Sequence, residues 1–83
     1  MNERKKKMLY NSINRGCKEV ELLLSEFALT ELSHMSNDDL NEYETLLQMN
    51  DCDLYNKFID IFNNLDKAHG VLKKIIAFNT ELR

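Results

Sequence analysis

The scarcity of helix-breaking residues constrains this chain most. Its 83 residues include no proline and two glycines. No segment alternates between apolar and polar residues with the period of two that a half-buried strand requires. The sequence therefore predicts an all-α protein. We expect a single compact five-helix bundle with short connections, in one domain that covers residues 1–83.

Apolar residues at helical spacing place the five helices at about residues 4–14, 17–33, 37–49, 52–63 and 67–82. The inward positions predicted for the first three helices are Leu9 and Ile13, then Val20, Leu23, Leu24, Phe27 and Ala28, then Leu40, Tyr43 and Leu47. Those predicted for the last two are Leu54, Tyr55, Phe58, Ile59 and Phe62, then Val71, Leu72, Ile75, Phe78 and Leu82.

Two helix starts carry recognisable signals. Ser36 is spaced to cap the third helix, and Asp39 stands at the capping-box position with a side chain too short to complete the box. Asp51 and Asp53 are expected in the cap or first turn of the fourth helix, where carboxylates favour the helix dipole. The fifth helix is expected to begin near Asp66.

Composition favours a soluble, folded domain inside the cell. Apolar residues make up 43% of the chain and charged residues 30%, and no apolar run approaches the ~20 residues of a membrane span. Two cysteines without a secretory signal favour a reducing compartment. We expect no direct membrane insertion and a monomer when the protein is free.

Charge is distributed unevenly along the chain, although the net charge is only −3. Residues 1–18 are mostly basic and residues 37–66 mostly acidic. Such a polarised surface can orient a protein partner during encounter, although most of these charges could equally be solvated helix faces. The long acidic stretch argues against a nucleic-acid partner.

No enzyme or metal motif is recognisable. His34 and His69 have no Cys, Asp or Glu at a metal-ligand spacing, and Cys17 and Cys52 lie far apart in the sequence. There is no glycine-rich phosphate loop, so we expect no catalytic residue and no independently bound cofactor.

One charged segment, Arg15-Gly16-Cys17-Lys18-Glu19, lies between the first two helices. It could be a simple turn, with Gly16 in a backbone conformation that other residues resist and Arg15 paired to Glu19 on the surface. It could also be a binding surface, because arginine and glutamate recognise polar groups and glycine permits close approach.

The surrounding residues favour the second interpretation. The segment from Leu9 to Glu21 resembles the signature of the succinate dehydrogenase flavinylation factors, whose Arg-Gly-x-x-Glu motif follows a short basic helix. The resemblance continues through later segments, up to Asp51-Cys52-Asp53-Leu54-Tyr55, and covers roughly residues 4–62. Cys52 and Lys57 depart from it, since they stand where the family often has proline and tryptophan.

The resemblance implies a five-helix bundle that assists chemistry rather than catalysing it. The implied partner is the flavoprotein subunit of succinate dehydrogenase, or of fumarate reductase, and the implied activity is promotion of covalent FAD attachment to a histidine of that subunit. The FAD belongs to the partner.

Residues carried over from the family motif are Arg15, Gly16 and Glu19, with Cys17, Lys18, Asp51 and Asp53 as further contact candidates. A bacterial cytoplasm is expected, or the mitochondrial matrix for a processed organellar chain. The alternative is a small helical adaptor or regulator with no role in flavinylation.

Overall fold

The computed structural model describes residues 2–81 and confirms the all-α, five-helix expectation. Its α-helices are α1 (Glu3–Ile13), α2 (Lys18–Glu31), α3 (Asn37–Leu47), α4 (Asp51–Asn63) and α5 (Gly70–Glu81). Short 3₁₀ turns, Leu32–His34 and Leu65–Lys67, follow α2 and α4. The described residues contain no strand, and none of their helices is long and apolar enough to cross a membrane.

Helix α2 lies at the centre of the bundle, in contact with α1, α4 and α5, while α3 packs against α1 and α5. Its predicted apolar stripe is confirmed. Val20, Leu24, Phe27 and Ala28 are buried, and Leu23 is half-buried against the core. The ring of Phe27 packs at an angle against Tyr43 of α3, with ring centroids 5.7 Å apart.

The prediction for α1 was wrong by one position. Met8 and Ser12 are the buried pair, and Leu9 and Ile13 are only partly covered. Burial of a serine is tolerated because its hydroxyl is fully used: Ser12 Oγ donates to the carbonyl of Met8 at 2.8 Å and lies 2.6 Å from Tyr43 Oη. Ser12 is therefore buried in place of Ile13, which the apolar periodicity had predicted to face inward.

The inward face of α4 also differs from the prediction. Leu54 and Phe58 are buried as expected, but Tyr55, Ile59 and Phe62 remain 37%, 41% and 42% exposed, and Ile61 is buried instead. Among the helices, α4 packs mainly against α2. A helix with one principal neighbour buries only a narrow stripe, and here that stripe is residues 54, 58 and 61.

The start of α5 is later than predicted. Asp66 lies in the 3₁₀ turn, and α5 begins at Gly70, whose φ of 60° is the left-handed conformation that favours glycine. Glu42 of α3 accepts the backbone N–H of Val71 at 3.1 Å and so satisfies a free amide at this helix start. Val71, Leu72 and Ile75 are buried and Phe78 half-buried, as expected; Leu82 lies outside the described residues.

The predicted start of α3 is confirmed. Ser36 Oγ accepts the backbone N–H of Asp39 at 3.2 Å. The Asp39 carboxylate does not complete the capping box but pairs with Lys74 of α5. The Asp39 side chain therefore links α3 to α5 instead of capping α3.

Candidate functional site

The loop between α1 and α2 is fastened to the junction of α3 and α4 by Arg15. The Arg15 side chain is only 9% exposed, and its Nε donates to Asp51 Oδ1 at 2.7 Å. Its other two nitrogens donate to the carbonyl oxygens of Leu47, at 2.9 Å, and Met49, at 2.8 Å. One planar guanidinium thus satisfies carbonyls at the end of α3 and the first carboxylate of α4.

Asp51 completes the attachment from the other side. Its Oδ2 accepts the backbone N–H groups of Gly16, at 2.8 Å, and Cys17, at 3.0 Å. Partial burial raises the pKa of Asp51, but the hydrogen bond and charge of Arg15, together with the two amides, outweigh it and hold the pKa below its usual value. The carboxylate is therefore kept ionised and fixed in place.

Gly16 is required for a different reason from the one predicted for a turn. Its φ is not positive, since Gly70 is the positive-φ residue of the described chain. A Cβ at Gly16 would instead lie 3.1 Å from Asp51 Oδ2. The glycine permits its own amide to approach the carboxylate closely while its outer side stays open to solvent.

Glu19 lies in the first turn of α2 and is exposed. The predicted surface pair between Arg15 and Glu19 is wrong, because Arg15 is directed toward Asp51. Glu19 instead accepts from its own backbone amide and from Cys17 Sγ, which is 3.2 Å from its Oε2, and both contacts lower its pKa. Lys18 is also exposed. An anion and a cation thus stand side by side at the start of α2.

Asp53 forms hydrogen bonds at the start of α4 and does not contact the loop between α1 and α2. Its backbone N–H donates to Asn50 Oδ1 at 2.8 Å, and Asn50 Nδ2 donates to Asp53 Oδ2 at 3.0 Å. Asn50 is therefore the N-cap of α4. This role was not predicted, although asparagine is among the preferred N-cap residues. The structure thus brings Arg15, Gly16, Cys17 and Asp51 into one cluster and leaves Asp53 outside it.

The charge of Arg15 influences the pKa of the buried Tyr43 hydroxyl. Burial raises the pKa of Tyr43 to about 12, partly offset by the hydrogen bond with Ser12 and the charge of Arg15. Because Ser12 donates its proton to Met8, the Tyr43 hydroxyl donates to Ser12. A neutral tyrosine is fixed beneath the cluster.

Residues 2–81 contain no group of three or more His, Cys, Asp or Glu side chains that could hold a metal ion. Cys17 and Cys52 are free thiols. What the cluster does present is a short segment held by hydrogen bonds, whose exposed residues are Gly16, Lys18 and Glu19. The fold and this segment define a small helical bundle that displays one fixed, charged loop.

Comparison with known proteins identifies the family. The family model described as flavinator of succinate dehydrogenase matches residues 6–79, and the chain belongs to this family, as the resemblance had indicated. No solved structure matches it significantly.

Several curated relatives carry the name succinate dehydrogenase assembly factor 2, mitochondrial. The relative from Kluyveromyces lactis is 38% identical over 84 residues, which cover 95% of this chain and 52% of the relative. The relative from Candida glabrata is 40% identical over 55 residues, covering 66% of this chain and 36% of the relative. The chain therefore spans about a third to a half of the length of these two relatives.

Proposed function

We propose that this protein binds the flavoprotein subunit of succinate dehydrogenase, or of fumarate reductase, and promotes covalent attachment of FAD to a histidine of that subunit. Family membership over residues 6–79 supports an assembly role for succinate dehydrogenase. The histidine and the FAD belong to the partner, and this chain contributes no cofactor of its own. Its role is that of a non-catalytic assembly factor.

The observation that carries the proposal is the attachment of the loop by two internal contacts. Arg15 and Asp51 satisfy each other and the neighbouring backbone, so they act as positioning residues rather than contact residues. The groups left for a partner are Gly16, Lys18 and Glu19, with Cys17 beside them. This divides the family motif into a residue that holds the loop and residues that the loop presents.

A rigid loop suits a protein that must hold its partner in one arrangement. Ordering a mobile loop on binding costs free energy, and a loop already fixed by charged hydrogen bonds avoids most of that cost. Covalent flavin attachment requires an ordered pocket and develops charge on the flavin ring. A bound assembly factor would therefore act by positioning the partner and by preorganised electrostatics.

The mitochondrial matrix is the compartment favoured for this activity, because the curated relatives are named as mitochondrial proteins. A bacterial cytoplasm stays the second possibility.

Co-expression with a flavoprotein subunit tests the proposal. The chain is produced together with an apo succinate dehydrogenase flavoprotein in a host that lacks its own assembly factor, and covalent flavin is read as fluorescence of the denatured subunit on a gel. We expect the fluorescence to rise with the wild-type chain and to fall with Gly16→Arg, which adds a bulky cation to the loop beside Asp51 Oδ2. Absence of any rise with the wild-type chain would contradict the proposal and favour an adaptor unrelated to flavinylation.

A further inference from the structure

Two surface depressions adjoin beside the attached loop. One, of about 220 Å³, lies between α1 and the end of α3, and the other, of about 410 Å³, lies between the loop and the start of α4. Asn11 and Leu47 line both depressions, so the two are adjacent, and we treat them together as one groove. We call this the amide groove, because its walls include the side-chain amides of Asn11, Asn14, Gln48 and Asn50.

The charges of the amide groove are almost all satisfied internally. It contains two carboxylates, and each is paired with an arginine that also lines it: Arg4 Nη2 lies 3.4 Å from Glu44 Oε1, and Arg15 Nε lies 2.7 Å from Asp51 Oδ1. Lys7 also lines the groove but makes no ion pair within residues 2–81. One positive charge at the α1 end is therefore left for an external anion.

Three of the four side-chain amides in the groove keep hydrogen-bonding groups free, whereas Asn50 uses both of its amide atoms to cap α4. Neither Asn11 nor Gln48 uses its side-chain amide in a hydrogen bond within the described part of the chain, and both are exposed. Asn14 donates from Nδ2 to the carbonyl of Tyr10 at 3.1 Å, which leaves its oxygen open. A carboxamide both donates and accepts, which matches the N–H and C=O groups that repeat along a polypeptide backbone.

We propose that the amide groove binds an extended segment of the partner protein, with its backbone on Asn11, Asn14 and Gln48 and an acidic side chain on Lys7. The segment passes the open side of Gly16, where the absence of a side chain allows its backbone to approach. This proposal rests on the proposed function, because it takes the flavoprotein subunit as the partner. It extends the contact surface from the loop along α1.

Two substitutions test it, each with a matched control. Asn11→Tyr fills the groove where its two halves meet, and Asn56→Tyr makes the same change at an exposed position of α4. Lys7→Glu reverses the free charge, and Lys6→Glu makes the same change on the neighbouring residue, which does not line the groove. Circular dichroism and urea unfolding confirm that each variant is folded.

The readout is the Kd for purified apo succinate dehydrogenase flavoprotein. We expect Asn11→Tyr and Lys7→Glu each to raise the Kd about tenfold, as for loss of a significant interface contact. The Lys7→Glu effect should shrink at high salt, because it is electrostatic. The two controls should stay within about twofold of wild type.

A photo-crosslinker identifies the occupant. With benzoylphenylalanine in place of Gln48, we expect a crosslink to a non-helical segment of the flavoprotein that contains Asp or Glu. A crosslink to a helix, or wild-type affinity in both groove variants, would overturn the groove proposal while leaving the proposed function intact. Failure of the wild-type chain to bind the flavoprotein would instead overturn the proposed function, and the groove proposal with it.

Discussion

Asp51 uses its two carboxylate oxygens for two different parts of the α1–α2 connection: Oδ1 lies 2.7 Å from Arg15 Nε, and Oδ2 lies 2.8 Å from Gly16 N. The Asp51 carboxylate, at the start of α4, therefore binds both the side chain of Arg15 and the backbone of Gly16. Since Asp51 is distant from Arg15 in sequence, this contact fixes the motif loop relative to the rest of the bundle. The loop's conformation thus depends on the fold as a whole.

Replacement of Arg15 by lysine should lower stability. A lysine ammonium cannot reach Asp51 and the carbonyls of Leu47 and Met49 with the geometry of a guanidinium. We expect Arg15→Lys to reduce the free energy of unfolding by about 2 kcal/mol, the scale of hydrogen bonds that involve charged groups. Urea unfolding measures this, with Lys18→Arg as an exposed control that should change stability by less than about 0.5 kcal/mol. Equal stability of wild type and Arg15→Lys would contradict the positioning role.

The contribution of Asp51 should depend on pH in the acid range. Because its pKa is lower in the folded protein than in the unfolded chain, the unfolded state binds the proton more readily. The contribution is therefore present above the ordinary value of 3.8 and is lost as the pH falls through the folded-state pKa. We expect the stability difference between wild type and Asp51→Asn, measured by urea unfolding, to narrow as the pH is lowered from 6 to 3. A difference independent of pH would show that the charge of Asp51 is unimportant.

Tyr43 should make the protein sensitive to alkali. Its pKa is raised from 10.0 to about 12, so unfolding releases a proton once the pH exceeds 10. The stability that the neutral hydroxyl contributes is complete below pH 10 and is lost as the pH rises through about 12. Relative to Tyr43→Phe, which cannot ionise, wild type should lose on the order of 2–3 kcal/mol across this range. Parallel stability curves for the two proteins would contradict the buried, neutral state of Tyr43.

The two glycines should respond differently to alanine. At Gly70, φ is +60° and a Cβ would lie 2.5 Å from a carboxylate oxygen of Glu42, so Gly70→Ala should destabilise the protein by about 1–3 kcal/mol. At Gly16 the backbone is unstrained and the nearest contact is 3.1 Å, so Gly16→Ala should cost less. Thermal unfolding of both variants checks the order. A larger loss at Gly16 would contradict this order and show that the close approach to Asp51 tolerates no Cβ.

Local signals were sufficient where a helix is surrounded by others. The buried residues of α2 could be predicted from periodicity alone. Because α2 has neighbouring helices on several sides, its apolar residues are covered. The α3 start followed from Ser36, a cap that acts within a single turn. The exposed positions Tyr55, Ile59 and Phe62 could not be recognised in this way, since apolar spacing does not say how many neighbours a helix has.

The sequence did not indicate how the candidate residues contact one another. Arg15, Gly16 and Asp51, three of the candidate residues, lie together in the structure. Nothing in the sequence showed that Arg15 is directed inward. That arrangement depends on the carbonyls of Leu47 and Met49, which are left free where α3 ends. Any residue type can supply the carbonyl groups that lack a partner at a helix end. The sequence therefore does not show which side chain will donate hydrogen bonds to them.

The most direct test of the account compares two glutamates of α2. Glu19 belongs to the presented loop, whereas Glu26 is exposed further along the same helix. Covalent flavin on a co-expressed succinate dehydrogenase flavoprotein is measured with Glu19→Ala and with Glu26→Ala, at matched amounts of folded chain. We predict that Glu19→Ala lowers covalent flavin while the stability of the bundle is unchanged. We expect Glu26→Ala to leave covalent flavin at the wild-type level. Equal flavin in both variants would contradict the assignment of the loop as the contact surface.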